Sequence, residues 1–215
     1  EGGTTPSYGM IAAARRSTSV QLFPIIRPRG GDFLYSAVEF EAMLADVKQC
    51  AGLGCDGVVI GMLGDDGGID VQRCAELIDH AGSMQVTFHR AFDRVRDPLA
   101  ALEAVIGLGC TRILTSGLHP NVEEGKEVIK ALVDAAGDRI TIMAGSGLRS
   151  TNVLEIATFT GASAFHSSAR TLRASRMRYL NPALGESLDS VSIDPDEVAR
   201  LRRILDALEE GPFQR

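Results

Sequence analysis

Gln85-Val86-Thr87-Phe88-His89-Arg90-Ala91-Phe92-Asp93 reads as an apolar strand that runs straight into a histidine, an arginine and an aspartate. The same arrangement stands upstream, where the apolar run Val20 to Ile26 meets Arg27-Pro28-Arg29-Gly30-Gly31-Asp32-Phe33-Leu34-Tyr35. Charge held at the end of a buried strand is costly unless it is paired or meets a ligand. Two such ends point to a site, and the fold must be one that gathers strand ends together.

Working outward, apolar strand candidates recur at Gln21 to Arg27, Asp56 to Leu63, Gln85 to Ala91, Thr111 to Ser116, Arg139 to Ala144 and Ser163 to Ser168. Each is followed by a helical pattern, and the spacing of roughly 25 to 35 residues is that of one βα unit. Local signals agree. Ser36-Ala37-Val38-Glu39 is a capping box opening a stripe at Phe40, Met43, Leu44 and Val47. Asp97-Pro98 and Asp194-Pro195 each place an N-cap before a proline at the first helical position, the second ahead of Val198, Leu201, Leu205 and Leu208. Gly107, Gly109 and Gly137 close helices. Strict alternation with strands apolar on both faces implies a parallel sheet covered by helices. Polar residues gather at the strands' C-terminal ends: Arg27, His89 and Arg90, Thr115 and Ser116, Ser146, His166 and Ser167. A (β/α)8 barrel of the TIM type brings all such ends to one mouth, whereas a doubly wound sheet does so only at its switch point. The expected fold is therefore an α/β barrel over residues 1–170. Residues 171–215 form a C-terminal extension with a terminal helix packed on the barrel. Within it, Thr171 to Ser192 shows no sustained period and is expected to hold little regular structure.

The chain of 215 residues is 45% hydrophobic and 23% charged, enough for one large core. Its 22 Lys+Arg against 28 Asp+Glu leave a net charge of -6, which argues against nucleic acid or an anionic membrane as partner. No run has the length of a transmembrane helix and no signal segment opens the chain, so the expected location is cytoplasmic or nuclear. Cys50, Cys55, Cys74 and Cys110 lack metal-ligand spacing and read as buried reduced thiols. The three lysines, Lys48, Lys126 and Lys130, fall on helix patterns, which disfavours Schiff-base chemistry.

Side-chain parity places Thr87, His89 and Ala91 on one face of their strand, opposite Val86 and Phe88, and Ala164, His166 and Ser168 opposite Phe165. With the large phenylalanines toward the helices, both histidines point into the barrel. There they could bind Cu(I) or Zn(II), act as acid and base, or sit as core histidines bonded to neighbours. Arg27, Arg29 and Arg90 could form a fork for a carboxylate or phosphate, with backbone N–H groups near Gly145 to Gly147 beside it. The alternative is an internal ion-pair ring closed by Asp32 and Asp93. Glu1, with Thr4 and Thr5, is expected over the same mouth. Gly145-Ser146-Gly147 is not a dinucleotide fingerprint.

At this point the chain resembles a known family. Glu1-Gly2-Gly3-Thr4-Thr5-Pro6-Ser7, Arg27 to Tyr35, Thr87 to Asp93, Arg112-Ile113-Leu114-Thr115-Ser116-Gly117 and Phe165-His166-Ser167-Ser168-Ala169-Arg170 look like the signature blocks of the CutC family. The resemblance implies a (β/α)8 barrel and copper homeostasis. It also implies intracellular Cu(I) binding or trafficking with copper as the cofactor, and a homo-oligomer, dimer or tetramer. Family members begin with two further strands that would lie before Glu1. The cysteines usually taken as Cu(I) ligands lie there, so about six of eight βα units are expected here, with unpaired outer edges near Gln21 and Ser163. Ala144-Gly145-Ser146-Gly147 stands where the family usually has a proline and three glycines. The competing reading is a barrel enzyme or sensor for a small anionic metabolite, with no reaction assigned. The ligand-binding candidates are Arg27, Arg29, Asp32, Arg90, Ser116, Gly145, Gly147 and Ser167. His89, Arg90 and Asp93 are the catalytic candidates, and His89 and His166 the metal candidates.

Overall fold

Ser7 accepts from the Met10 N–H and so opens α1 (Tyr8–Ser17), a helix the periodicity of the sequence had not announced. The computed structural model describes residues 3–209, so Glu1 and its expected place at the mouth lie outside the described residues. The chain continues as α2 (Ala37–Gly52), β1 (Gly57–Ile60), α3 (Val71–Ala81), β2 (Gln85–Phe88), α4 (Pro98–Gly107), β3 (Arg112–Thr115) and α5 (Val122–Ala136). It ends with β4 (Thr141–Gly145), α6 (Val153–Thr160), β5 (Ala164–His166), β6 (Arg170–Arg173), β7 (Ser190–Ile193) and α7 (Pro195–Glu209). The caps follow the sequence. Ser36 and Glu39 form the capping box, Asp97 accepts from Leu99 and Ala100, and Asp194 accepts from Asp196 and Glu197.

The sheet order is β1-β2-β3-β4-β5, every pair parallel. Consecutive order without a reversal is that of a (β/α)8-type barrel, since a doubly wound sheet turns back at its switch point. Register places Val58 beside Val86, Ile113 beside Ile142, and Gly145 beside His166. On the helix side Phe88 and Ile113 are wholly buried, and Ile142 nearly so, within a core shared with Met43, Leu77, Leu102, Ile129 and Ile156. On the other side Val59, Thr87, Leu114 and Met143 line an open cavity. Among the described residues no helix is long and apolar enough to cross a membrane.

Several boundaries differ from the expectation. Gln21 to Arg27 is not a full strand: Ile25 makes an isolated bridge to Val59. It is flanked by the Ile26 N–H donating to Val59 O (2.8 Å) and the Val59 N–H donating to Pro24 O (2.9 Å). Pro24 has no N–H to extend the ladder. Gln85 to Ala91 ends at Phe88, because Arg90–Arg94 coils into a 3-10 turn in which the His89 side chain caps the Ala91 N–H. Thr171 to Ser192 contains no helix, but its ends pair as the antiparallel hairpin β6–β7. α7 packs against α6 with Leu201 buried, and its Glu197 accepts from the N–H (2.7 Å) and hydroxyl (2.8 Å) of Ser150 in the turn before α6. No pairing joins β5 to the extended segment at Ile25 among the described residues, so the two edges do not close on each other; the one at Gln21 to Arg27 is partly covered, with the Thr5 N–H donating to Arg27 O (2.9 Å) and the Arg27 N–H to the Thr5 hydroxyl (2.9 Å).

Candidate functional site

The strand ends surround a cavity of about 1420 Å³. Arg27, from the extended segment, is 5% exposed and held by the carbonyls of Gly3 and Gly31, each 3.0 Å away, with its guanidinium 4.9 Å over the Phe33 ring. β2 supplies His89 and Arg90, and the 3-10 turn supplies Asp93 and Arg94. The β3 end supplies Ser116, the β4 end Ser146, Gly147 and Arg149, and the β5 end His166, Ser167 and Arg170.

Asp93 is the knot of the β2 and β3 ends. Its carboxylate accepts from Arg90 Nε (2.6 Å), the Thr115 hydroxyl, the Ser116 N–H and hydroxyl, and the Leu118 N–H. A carboxylate so filled by charged and neutral donors acts as an anchor, with no lone pair left to take a substrate proton. Arg90 also donates to the Ser116 hydroxyl (2.7 Å), while its Nη1 makes no hydrogen bond among the described residues.

His89 is wholly enclosed. The Ala91 N–H donates to its Nδ1 (3.1 Å), Phe33 packs against the ring at 4.9 Å, and Nε2 is buried without a partner among the described residues. Burial, reinforced by the positive charge of Arg27, pushes its pKa down to about 3. His166 also lines the cavity, where its edge is exposed, and partial desolvation by the surrounding wall, then the charges of Arg170 and Arg90, hold it below the usual histidine value. The inward parity of Thr87, His89 and His166 thus holds.

Other candidates are placed elsewhere. Arg29 bonds Glu39 (2.5 Å) and Asp32 (2.9 Å), an ion-pair knot that does not line the cavity. The ring closed by Asp32 is therefore real for Arg29, whereas Arg27 is held by carbonyls. Gly145 does not itself line the cavity but is packed between Leu114 and His166, which do, and Ser167 donates to Leu148 O (2.7 Å). Gly147 is at the wall with a left-handed backbone (φ +72°). The four cysteines are buried free thiols, as expected, and burial pushes Cys50, Cys74 and Cys110 up to about 12. No group of three or more His, Cys, Asp or Glu is arranged to hold a metal among the described residues.

The sequence reading missed Arg94, Arg149 and Arg170. Arg94 is exposed and sits over Phe33 at 5.8 Å, and Arg149 donates to Arg170 O (3.1 Å). Each lies within a few residues of a strand's C-terminal end, so the rule that found Arg27 would have found them had it been carried past the first polar residue. Together with Arg27 and Arg90 they make five arginines at one mouth. Asp93 is the single carboxylate among the described lining residues.

A family model described as the CutC family matches residues 1–171. The chain is 47% identical over 214 residues to a family protein CutC of Chromobacterium violaceum, covering 98% of this chain and 87% of that one. It is 44% identical over 208 residues to a mouse copper homeostasis protein cutC homolog, covering 95% and 76%. A solved structure of CutC from Streptococcus agalactiae superposes with a TM-score of 0.74 at 35% identity, covering 77% of this chain and 82% of that one. An aldolase structure superposes at 0.59 with 18% identity, covering 74% and 73%, a likeness of fold alone.

Proposed function

The chain belongs to the CutC family, and on that premise we propose that it serves copper homeostasis through a barrel mouth that holds a small anion, a carboxylate or a phosphate. One observation carries this reading: of the six arginines that line one cavity, all but Arg112, at the start of β3, stand at the strands' C-terminal ends, and Asp93, the single carboxylate among the described lining residues, is already filled by the protein's own donors. Guanidinium groups present planar forks that match carboxylate and phosphate oxygens. A concave site that concentrates one sign of charge in a chain of net charge -6 favours a ligand of the opposite sign. Copper enters this reading as cargo of the family's role.

Calorimetric titration with inorganic phosphate and with malonate tests the proposal, beside a Cu(I) titration against a competing chelator. Saturable anion binding is expected. Arg94→Ala should weaken it roughly tenfold, the worth of a charge-assisted bond. It should leave Cu(I) affinity unchanged, because guanidinium is not a copper ligand. Arg94 is the cleaner position, since Arg27 also ties Gly3 to Gly31. No saturable anion binding, or a fall in Cu(I) affinity in Arg94→Ala, overturns the reading.

A further inference from the structure

We propose that His89 is the ligand-positioning donor of this cavity: a neutral imidazole, protonated at Nε2, that gives its N–H to an oxygen of the bound carboxylate or phosphate. The inference rests on the anionic reading of the mouth and adds to it the group that fixes where the anion sits.

Three independent features of the geometry lead here. The first is the tautomer. The Ala91 N–H is a fixed backbone donor 3.1 Å from Nδ1, so Nδ1 is the acceptor and the ring proton resides on Nε2. The second is the niche. A Cβ built on Gly61 would lie 2.4 Å from His89 Nδ1 and 2.5 Å from Cε1, so the ring can occupy its place only because β1 is followed by glycine. Gly61 is thus a positioning residue for the imidazole. The third is the unspent donor. Nε2 is buried, has no hydrogen-bond partner among the described residues, and belongs to a residue 3% exposed that lines the cavity. A buried N–H without an acceptor costs free energy and is rare in folded proteins, and sites completed by a ligand are where such donors persist.

The same geometry separates this role from the two others open to a histidine. Binding a metal at Nε2 would move the proton to Nδ1, where it would collide with the Ala91 N–H. Acting as a base at neutral pH needs a ring that takes up protons there, whereas burial and Arg27 hold this one neutral far below that range. What is left is a preorganised donor in a space shielded from water, where a hydrogen bond to an anionic oxygen is strong. The ligand class follows. It is an anion small enough to meet the arginine mouth with one oxygen and His89 with another.

Nitrogen-15 NMR of the histidine rings in the wild-type chain tests this, with inorganic phosphate and separately malonate as probes. The expected result is a His89 signal of the Nε2–H tautomer, unchanged between pH 5 and 8, whose Nε2 resonance shifts saturably with the anion. His89→Phe should raise the Kd at least roughly tenfold. His89→Gln, which keeps an N–H donor near the Nε2 position, should recover most of the affinity, and Gly61→Ala should behave like His89→Phe although it removes no polar group. Anion binding that leaves Nε2 unshifted, or an Nδ1–H tautomer, overturns the donor and leaves the arginine mouth standing. Absence of any anion binding overturns both. The spectrum is read on the wild-type protein, so a variant that folds poorly does not blur the outcome.

Discussion

Asp93 illustrates how a single side chain sets the local design. Its side chain is 6% exposed and collects donors from Arg90, Thr115, Ser116 and Leu118. Asp93→Asn removes the charge and turns an amide toward donors that need an acceptor. Breaking one side of so buried a charged network costs about 3–5 kcal/mol, which urea denaturation would read as a lowered midpoint. His89 makes a pH prediction. Its folded pKa of about 3 lies below the unfolded value of 6.5, so the unfolded chain takes up a proton that the folded chain refuses. Stability is then complete above pH 6.5 and declines as pH falls toward 3, by about 1.4 kcal/mol per pH unit for one proton. Urea midpoints at pH 7, 6 and 5 should show this slope, and His89→Gln should remove the His89 share. His166, also lowered, keeps its contribution in the same direction. Arg90, His89 and Asp93 were legible as chemistry-bearing residues. Their partners were not, because Asp93 reaches Thr115 and Ser116 across more than 20 positions of chain.

At the scale of the element, caps and faces were written locally and could be read locally. Ser36, Asp97 and Asp194 cap as their motifs require, and Met43 and Val47 are buried on the stripe that the capping box opens. The extended segment at Gln21 to Arg27 is reduced to one bridge because Pro24 withdraws a donor, a signal present in the sequence. Close approach between elements left no such mark. α5 crosses the β3 end so tightly that a Cβ on Gly125 would lie 1.8 Å from Ser116 O, and one on Gly117 2.2 Å from Gly125 O. Gly125→Ala must therefore push α5 off the loop that Asp93 holds, at a cost of about 3 kcal/mol, the upper range for overpacking. Faster hydrogen exchange at the Ser116 N–H would accompany the loss. Gly107→Ala is the contrasting case: a helical position with nothing within 4 Å should gain up to about 1 kcal/mol from helix propensity. If the two substitutions have equal effects, the contact at Gly125 is not what limits that position.

Across the whole molecule, the mouth is basic although the chain is acidic. If its five arginines attract the anion through charge, the phosphate Kd should rise as salt goes from about 0.1 M to about 1 M, over which the screening length falls from about 10 Å to about 3 Å. A salt-independent Kd in calorimetry would remove electrostatic attraction from the account. The sequence by itself determined the βα alternation, the barrel class, the inward parity of His89 and His166, and the family, since each rests on periodicity or on contiguous blocks of residues. Only the tertiary structure decided that Arg29 pairs with Glu39, that Asp93 is an anchor, that Arg94, Arg149 and Arg170 join Arg27 and Arg90, and that Gly61 seats His89. The physical reason is one of range: caps and alternation act between near neighbours in the chain, whereas charge and close packing act between neighbours in space. A net charge of -6 is a sum that carries no record of where the arginines meet.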